Sequence, residues 1–247
     1  MAHIYAHDTP AHPPTALGLN SRKLGMWAFI SSEVMFFTAL IATYLVMKPR
    51  NIRMGGPVPE ETLGIGLTAV LALILLMSSV TMVLALSATE RNDQRGIRLW
   101  LGATIFLGLC FLGGQTYEFN HLWSETFVTV TTTLPDGRVE LQGVPGHEAA
   151  ERIQRIKATA PAGAKVEASE PKPVTWSTSL FGSSFFTLTG FHGTHVGLGV
   201  IWLSIVLMMA FRGAIGPKNS LTVEMVGLYW HFVDLVWVAI FTLIYLI

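Results

Sequence analysis

Five apolar runs dominate the chain, at residues 24–47, 63–87, 97–119, 180–211 and 225–246. A helix crosses bilayer hydrocarbon in about 20 residues, whereas a strand of a membrane barrel does so in about 10 residues of alternating polarity. The runs are long and continuous, so each predicts a membrane-spanning helix. The fourth has 32 residues, or about 48 Å of helix at 1.5 Å per residue. That exceeds a hydrocarbon core about 30 Å thick, so this helix is expected to tilt or protrude. The predicted fold class is all-α, a polytopic membrane bundle of five transmembrane helices carrying one extramembrane insertion.

The insertion, residues 122–175, is polar and too long for an ordinary connection. Phe127–Thr133, Pro135-Asp136-Gly137 and Val139–Leu141 read as a β-hairpin. Residues 147–158 have helical composition, with acidic residues first and basic ones later. Pro161–Ala164 and Pro171–Pro173 read as flexible or extended linker. The chain thus divides into a tail (1–23), helices one to three (24–121), the insertion (122–175) and helices four and five (176–247). Short flanks on one side hold Arg22, Lys23, Arg91, Arg95, Arg98, Arg212 and Lys218; the other side holds Lys48, Arg50 and Arg53. Basic residues accumulate on the cytoplasmic side. This predicts a cytoplasmic N-terminus, with the insertion and the C-terminus periplasmic.

Composition fits this picture. Hydrophobic residues make up 51% and charged residues 13%, against about 25% charged in soluble domains. The formal net charge is zero, which gives no reason to expect a nucleic-acid partner. The single Cys110 lies in an apolar run and excludes a site built on several cysteines. The first 20 residues show no basic segment followed by an apolar one, so no cleaved signal peptide is expected. They hold His3, His7 and His12, read as part of a solvated tail.

The chemistry lies in polar residues inside the apolar runs. Ionisable groups there are expensive and should face protein or water. Glu33 sits near mid-membrane with no basic residue within two turns of its own helix. It is the candidate for proton handling and is expected to be neutral and buried. Glu118 and His121 form one Glu-x-x-His pair; di-iron bundles use two, with two further glutamates, so a metal is not expected. His192 and His195 share a face, and Gly193 and Gly197 form a small-xxx-small pattern that permits close helix approach. Both histidines are expected to bond across that contact. His231 and Asp234 also share a face and could bond each other. Ser78, Ser79 and Thr81 read as packing hydroxyls. Glu118, His192, His195, His231 and Asp234 are thus intramembrane packing groups, and no stoichiometric transition metal is expected.

Four runs carry strings resembling one family. These are Ser32-Glu33-Val34-Met35-Phe36-Phe37, the pair Gln115 and Glu118, Phe181 to Val196 around His192-Gly193-Thr194-His195, and Glu224 to Trp237 followed by Ile244-Tyr245. The chain resembles subunit III of haem–copper oxidases. The resemblance implies a non-catalytic subunit that packs on subunit I, with subunit II and other respiratory subunits in the same complex. That complex reduces oxygen to water and pumps protons. The family supports proton uptake and protects subunit I, and holds phospholipid in a cleft. Haem and copper are implied in the partner subunits and no cofactor in this chain. Glu33 matches the position associated with carbodiimide reactivity, and the setting implied is a bacterial inner membrane. The commonest family form has seven spans; this chain lacks the first two, which form part of the lipid cleft. The family suggests no role for the insertion.

Other readings remain at this point. A quinol oxidase subunit III or a nitric oxide reductase accessory protein would differ in the partners. A stand-alone membrane metalloenzyme would use the histidines and Glu118. A transporter is disfavoured because no internal repeat is visible.

Overall fold

The computed structural model describes residues 21–58 and 64–246. The tail histidines His3, His7 and His12, and the start of the second run at Leu63, lie outside the described residues. Among the described residues, five helices are long and apolar enough to cross a membrane. They are α1 (Ser21–Arg53), α2 (Ile65–Glu90), α3 (Gln94–Ser124), α5 (Leu180–Phe211) and α6 (Ser220–Phe241). A single turn of wider π winding, Thr242–Leu246, follows α6.

The helices overrun the apolar runs at their polar ends. α1 begins at Ser21, within the stretch read as tail, and continues past Met47 to Arg53. α3 continues to Ser124, inside the stretch read as insertion. Polarity marks where hydrocarbon stops, but backbone bonding continues through the interface while long side chains reach for water. Stop signals sit further out. Asp93 caps α3 by accepting from Arg95 N–H, and Ser179 caps α5 by accepting from Gly182 N–H. Gly213, with φ of 72°, follows the end of α5.

α6 is the most buried span and α1 the least. α6 touches α1, α2 and α5; α3 packs between α2 and α5; α1 lies against α5 and α6. The outward side of α1 exposes Trp27, Met35 and Val46, as expected of a lipid-facing surface.

Trp230 of α6 ties this arrangement together. Its ring lies between two glycines, Gly108 of α3 and Gly199 of α5. A Cβ added at Gly108 would come 2.7 Å from the ring, and one at Gly199 2.9 Å from it. The indole N–H donates to Ser78 Oγ of α2 at 2.9 Å. One side chain thus joins four helices through two notches and one hydrogen bond. The expected Gly193/Gly197 contact is corrected by this geometry. Gly193 does lie close to Gln115, but a Cβ at Gly197 would meet nothing within 4 Å. The close approach is one helical face away, because it is set by where the Trp230 ring lands rather than by spacing alone.

The insertion is a folded unit. β1 (Thr126–Thr133) pairs antiparallel with β2 (Val139–Pro145), from Phe127↔Pro145 to Thr133↔Val139. The turn is closed by Arg138, which donates from its backbone N–H and its guanidinium to Asp136 and holds that exposed carboxyl below its usual range. α4 (Ala149–Thr159) covers the small core of Val128, Val130 and Val144 with Ile153 and Ile156. The expected linkers are corrected in part. β3 (Lys165–Ala168) and β4 (Lys172–Pro173) both pair with β1. Proline lacks a donor but is tolerated on an edge strand, which is where Pro173 sits. The sheet rests on the loop after α1, where Thr129 Oγ1 donates to Gly55 O at 2.8 Å. Gly143 lies against the Gly56 carbonyl with no room for a Cβ.

These contacts rank the glycines. Gly108→Ala should destabilise the detergent-solubilised protein by about 1–3 kcal/mol, the range for overpacking a filled core. Gly197→Ala should change stability by less than about 0.5 kcal/mol, as at other open sites. Thermal unfolding of the two variants side by side checks the ranking; equal losses would remove the Trp230 notch from the account.

Candidate functional site

The polar residues of the bundle do not converge on one point. They form separate bridges, each between different helices. At the first, His195 Nε2 of α5 lies 3.2 Å from Glu33 Oε2 of α1. His195 Nδ1 lies 2.7 Å from the Phe191 carbonyl, which can only accept, so Nδ1 carries a hydrogen. Nε2 is therefore the ring nitrogen turned to the Glu33 carboxyl. Phe37 lies against the imidazole, with ring centroids 5.0 Å apart. Tyr229 of α6 donates to the His195 carbonyl at 3.0 Å. Glu33 is thus not the solitary buried carboxyl expected from its own helix. Its side chain keeps 20% of its surface open, and its partner comes from a helix 162 residues along the chain.

The second bridge centres on Glu118. Its Oε1 accepts from Thr68 of α2 at 2.7 Å and from Tyr245 at 3.0 Å. The π turn after α6 carries Tyr245 to this position. His121 shares a helix with Glu118 but is exposed and lies near Glu125 instead. The Glu-x-x-His pair is therefore divided between the core and the surface.

In the third bridge, Ser79 Oγ lies 2.5 Å from His231 Nδ1. The same hydroxyl also interacts with the Asp234 carboxyl. The expected His231–Asp234 bond is corrected: the two side chains share a face but meet through Ser79 of α2. Their backbone spacing left room for a neighbouring helix to supply the intervening group.

His192 departs furthest from expectation. It is fully buried, and neither ring nitrogen has a hydrogen-bond partner among the described residues. The ring stacks on Trp237 at 4.9 Å between centroids and meets the edge of Phe111 at 5.8 Å. It serves as an aromatic packing surface rather than a bond across the contact. Gln115 makes the cross-helix bond here, donating to Thr189 O at 2.9 Å.

Sequence reasoning missed Thr68, Tyr229 and Tyr245, and it placed Ser78 and Ser79 only as packing groups. Their common signal is a hydroxyl in an apolar run, a feature shared with Thr38 and Thr43, which bond only their own helix. No three or more His, Cys, Asp or Glu side chains among the described residues are assembled as a metal centre.

A family model for cytochrome c oxidase subunit III matches residues 163–247. The chain is 31% identical over 238 residues to cytochrome c oxidase subunit 3 of Alkalihalophilus pseudofirmus, covering 96% of this chain and 92% of that relative. The chain belongs to the cytochrome c oxidase subunit III family. The corresponding protein of Bacillus sp. strain PS3 is 31% identical over 245 residues, covering 98% of this chain and 95% of that relative. Quinol oxidase subunit 3 of Bacillus subtilis is also 31% identical, over 223 residues, covering 90% and 85%. Subunit III of a haem–copper oxidase is a multi-pass membrane protein that works within a complex of oxidase subunits. His192, His195, His231, Asp234 and Tyr245 fall within the family-model match; Glu33, Glu118 and most of the insertion precede it.

The Glu118 bridge yields a direct test. Thr68→Val and Tyr245→Phe each remove one donor from the same buried oxygen, at an expected cost of about 1–3 kcal/mol each. Because they share Glu118, the double variant should depart from additivity by at least about 0.5 kcal/mol. A double-mutant cycle on unfolding free energy measures this; strict additivity would mean that the two donors are independent.

Proposed function

We propose that this chain is the non-catalytic subunit III of a proton-pumping terminal oxidase that reduces oxygen to water. It packs directly on subunit I, with subunit II in the same complex and haem and copper held by those partners. The observation that carries this reading is the Glu33–His195 pair. It is a carboxyl–imidazole bridge between α1 and α5 that keeps a partly open edge, which suits a group supporting proton uptake. Glu118 and His231 are likewise engaged by hydroxyl groups, which supports a packing role for them. The setting is a bacterial inner membrane, with the N-terminus cytoplasmic and the C-terminus and insertion periplasmic. The basic flanks support this orientation.

Bound phospholipid belongs to the same reading. An apolar groove of about 360 Å³ runs between α1 and α6, lined by Trp27, Val34, Phe37, Phe232 and Leu235 with Thr38 and His231 as its polar groups. It has the chemistry to take an acyl chain.

The electron donor divides two readings. We favour cytochrome c. The equal identity to a relative named quinol oxidase subunit 3 keeps quinol as the second. A tagged chain purified in mild detergent should bring down haem-bearing subunits and oxidise reduced cytochrome c. Recovery without haem-bearing partners would overturn the subunit reading, and oxidation of quinol alone would select the second donor.

Glu33→Gln keeps the shape of the neutral acid and a donor toward His195. The assembled complex is expected to keep reducing oxygen, with at most a partial loss of protons pumped per electron. A hydrophobic carbodiimide should label Glu33 in the parent and not in this variant. Oxygen uptake and proton release recorded together check the expectation; complete loss of oxygen reduction in an assembled variant would make Glu33 an obligatory proton carrier.

A further inference from the structure

The sheet of the insertion has two outer edges, and they are built differently. Across the sheet the strands run β2, β1, β3, with β4 also paired to β1. An uncovered edge invites pairing with another chain, and proteins blunt it with short strands, charges and proline. The edge made by β3 and β4 follows that rule. β3 has four residues, of which Lys165 and Glu167 are charged, and β4 ends in Pro173. The β2 edge does not follow it. β2 runs for seven residues; its one charge is Glu140 and its one proline, Pro145, comes last. Val139 and Leu141 keep 56% and 38% of their surface exposed.

A strand packed on one face exposes every second residue. Val139 to Gln142 are exposed in succession, while Gly143 to Pro145 are buried. α4 and the loop after α1 thus cover the second half of β2 and leave the first half open. A groove of about 740 Å³ follows this open half. All residues from Val139 to Gln142 line it, with Arg53 at the end of α1 and with Thr159 and Pro161 at and beyond the end of α4. A groove lined by residues from both faces of one strand runs along the edge of that strand. Its charged lining residues are Arg53 and Glu140.

We propose that the β2 edge from Val139 to Gln142 is a docking site for an extended segment of another subunit of the oxidase complex, which adds a strand to the sheet. The inference rests on the subunit reading above and names a surface that reading does not use. In strand addition, backbone hydrogen bonds hold the segment and alternate side chains select it. Charge defines the occupant. Opposite charges on facing strands stabilise the pair and like charges oppose it, so the segment carries a basic residue beside Glu140. Arg53 takes a carboxylate from the same segment. Apolar residues at the alternate positions cover Val139 and Leu141. A second copy of this chain is the poorer occupant. Symmetric antiparallel pairing about Glu140 sets that carboxylate opposite itself, and pairing about Leu141 sets Val139 opposite Gly143, which lies against the Gly56 carbonyl.

The test uses the assembled, purified complex. An antiparallel edge strand turns the backbone groups of alternate residues outward. Amide exchange read residue by residue, by mass spectrometry with electron-transfer fragmentation, therefore reports whether another strand is paired there. Slow exchange at every amide from Val139 to Gln142 is expected. Alternating slow and fast amides in a complex that retains its haem-bearing subunits would mean an unpaired edge; this overturns the proposal and leaves the subunit reading standing. Val139→Lys places a charge at an exposed site, so β1 should stay protected. The outward amides of β2 should then exchange at least about tenfold faster; unchanged protection in this variant also overturns the proposal. In a second variant, photoreactive benzoylphenylalanine replaces Val139. On illumination it should attach to alternate residues of one short segment of a different subunit. Attachment to a second copy of this chain, or to no other subunit, is the opposing result.

Discussion

The bundle depends on the seating of Trp230. Lipid chains are as apolar as leucine, so burying an aliphatic surface gives little reason for one membrane helix to prefer another. Close fit and directed hydrogen bonds must supply the preference. Trp230 does both, filling the notch left by Gly108 and Gly199 and donating its N–H to Ser78. Its position on the most buried helix means that α2, α3 and α5 are all arranged around one ring. Trp237, two turns on, extends this arrangement by packing against His192 and Phe111.

The polar bridges obey the same economy of charge. Each places an ionisable group against a partner from another helix: Glu33 with His195, Glu118 with Thr68 and Tyr245, His231 and Asp234 with Ser79. A carboxyl facing hydroxyl groups or an imidazole meets the hydrocarbon with a polar partner beside it. The bridges differ in access. The Glu118 carboxyl is closed in by the core, while Glu33 and His195 keep a partly open edge. The Glu33–His195 bridge is therefore the more accessible of the two.

The insertion is joined to the bundle rather than suspended from it. Backbone contacts at Gly55, Gly56 and Gly143 seat the sheet on the loop after α1. The hydrogen bond from Val174 N–H to Glu125 O closes the neck where the chain leaves and re-enters the bundle. The insertion is therefore fixed to the ends of α1 and α3.

The five spans were legible in the sequence because hydrocarbon thickness imposes a length on any crossing helix. The hairpin from Phe127 to Leu141 was legible because its turn residues sit between two β-prone strings. The polar set was legible as costly residues in apolar runs, and the family through the strings around His192 and Trp230. Sequence could not assign partners. Glu33 looked solitary because His195 lies 162 residues away, and His231 and Asp234 looked like each other's partners until Ser79 came between them. Gly193 and Gly197 matched a spacing rule, yet the close contacts on Trp230 fell to Gly108 and Gly199. By itself the sequence determined which groups must be satisfied, since the cost of leaving them bare is local. Only the tertiary structure decided what satisfies them, because that depends on how separate helices cross and rotate against one another.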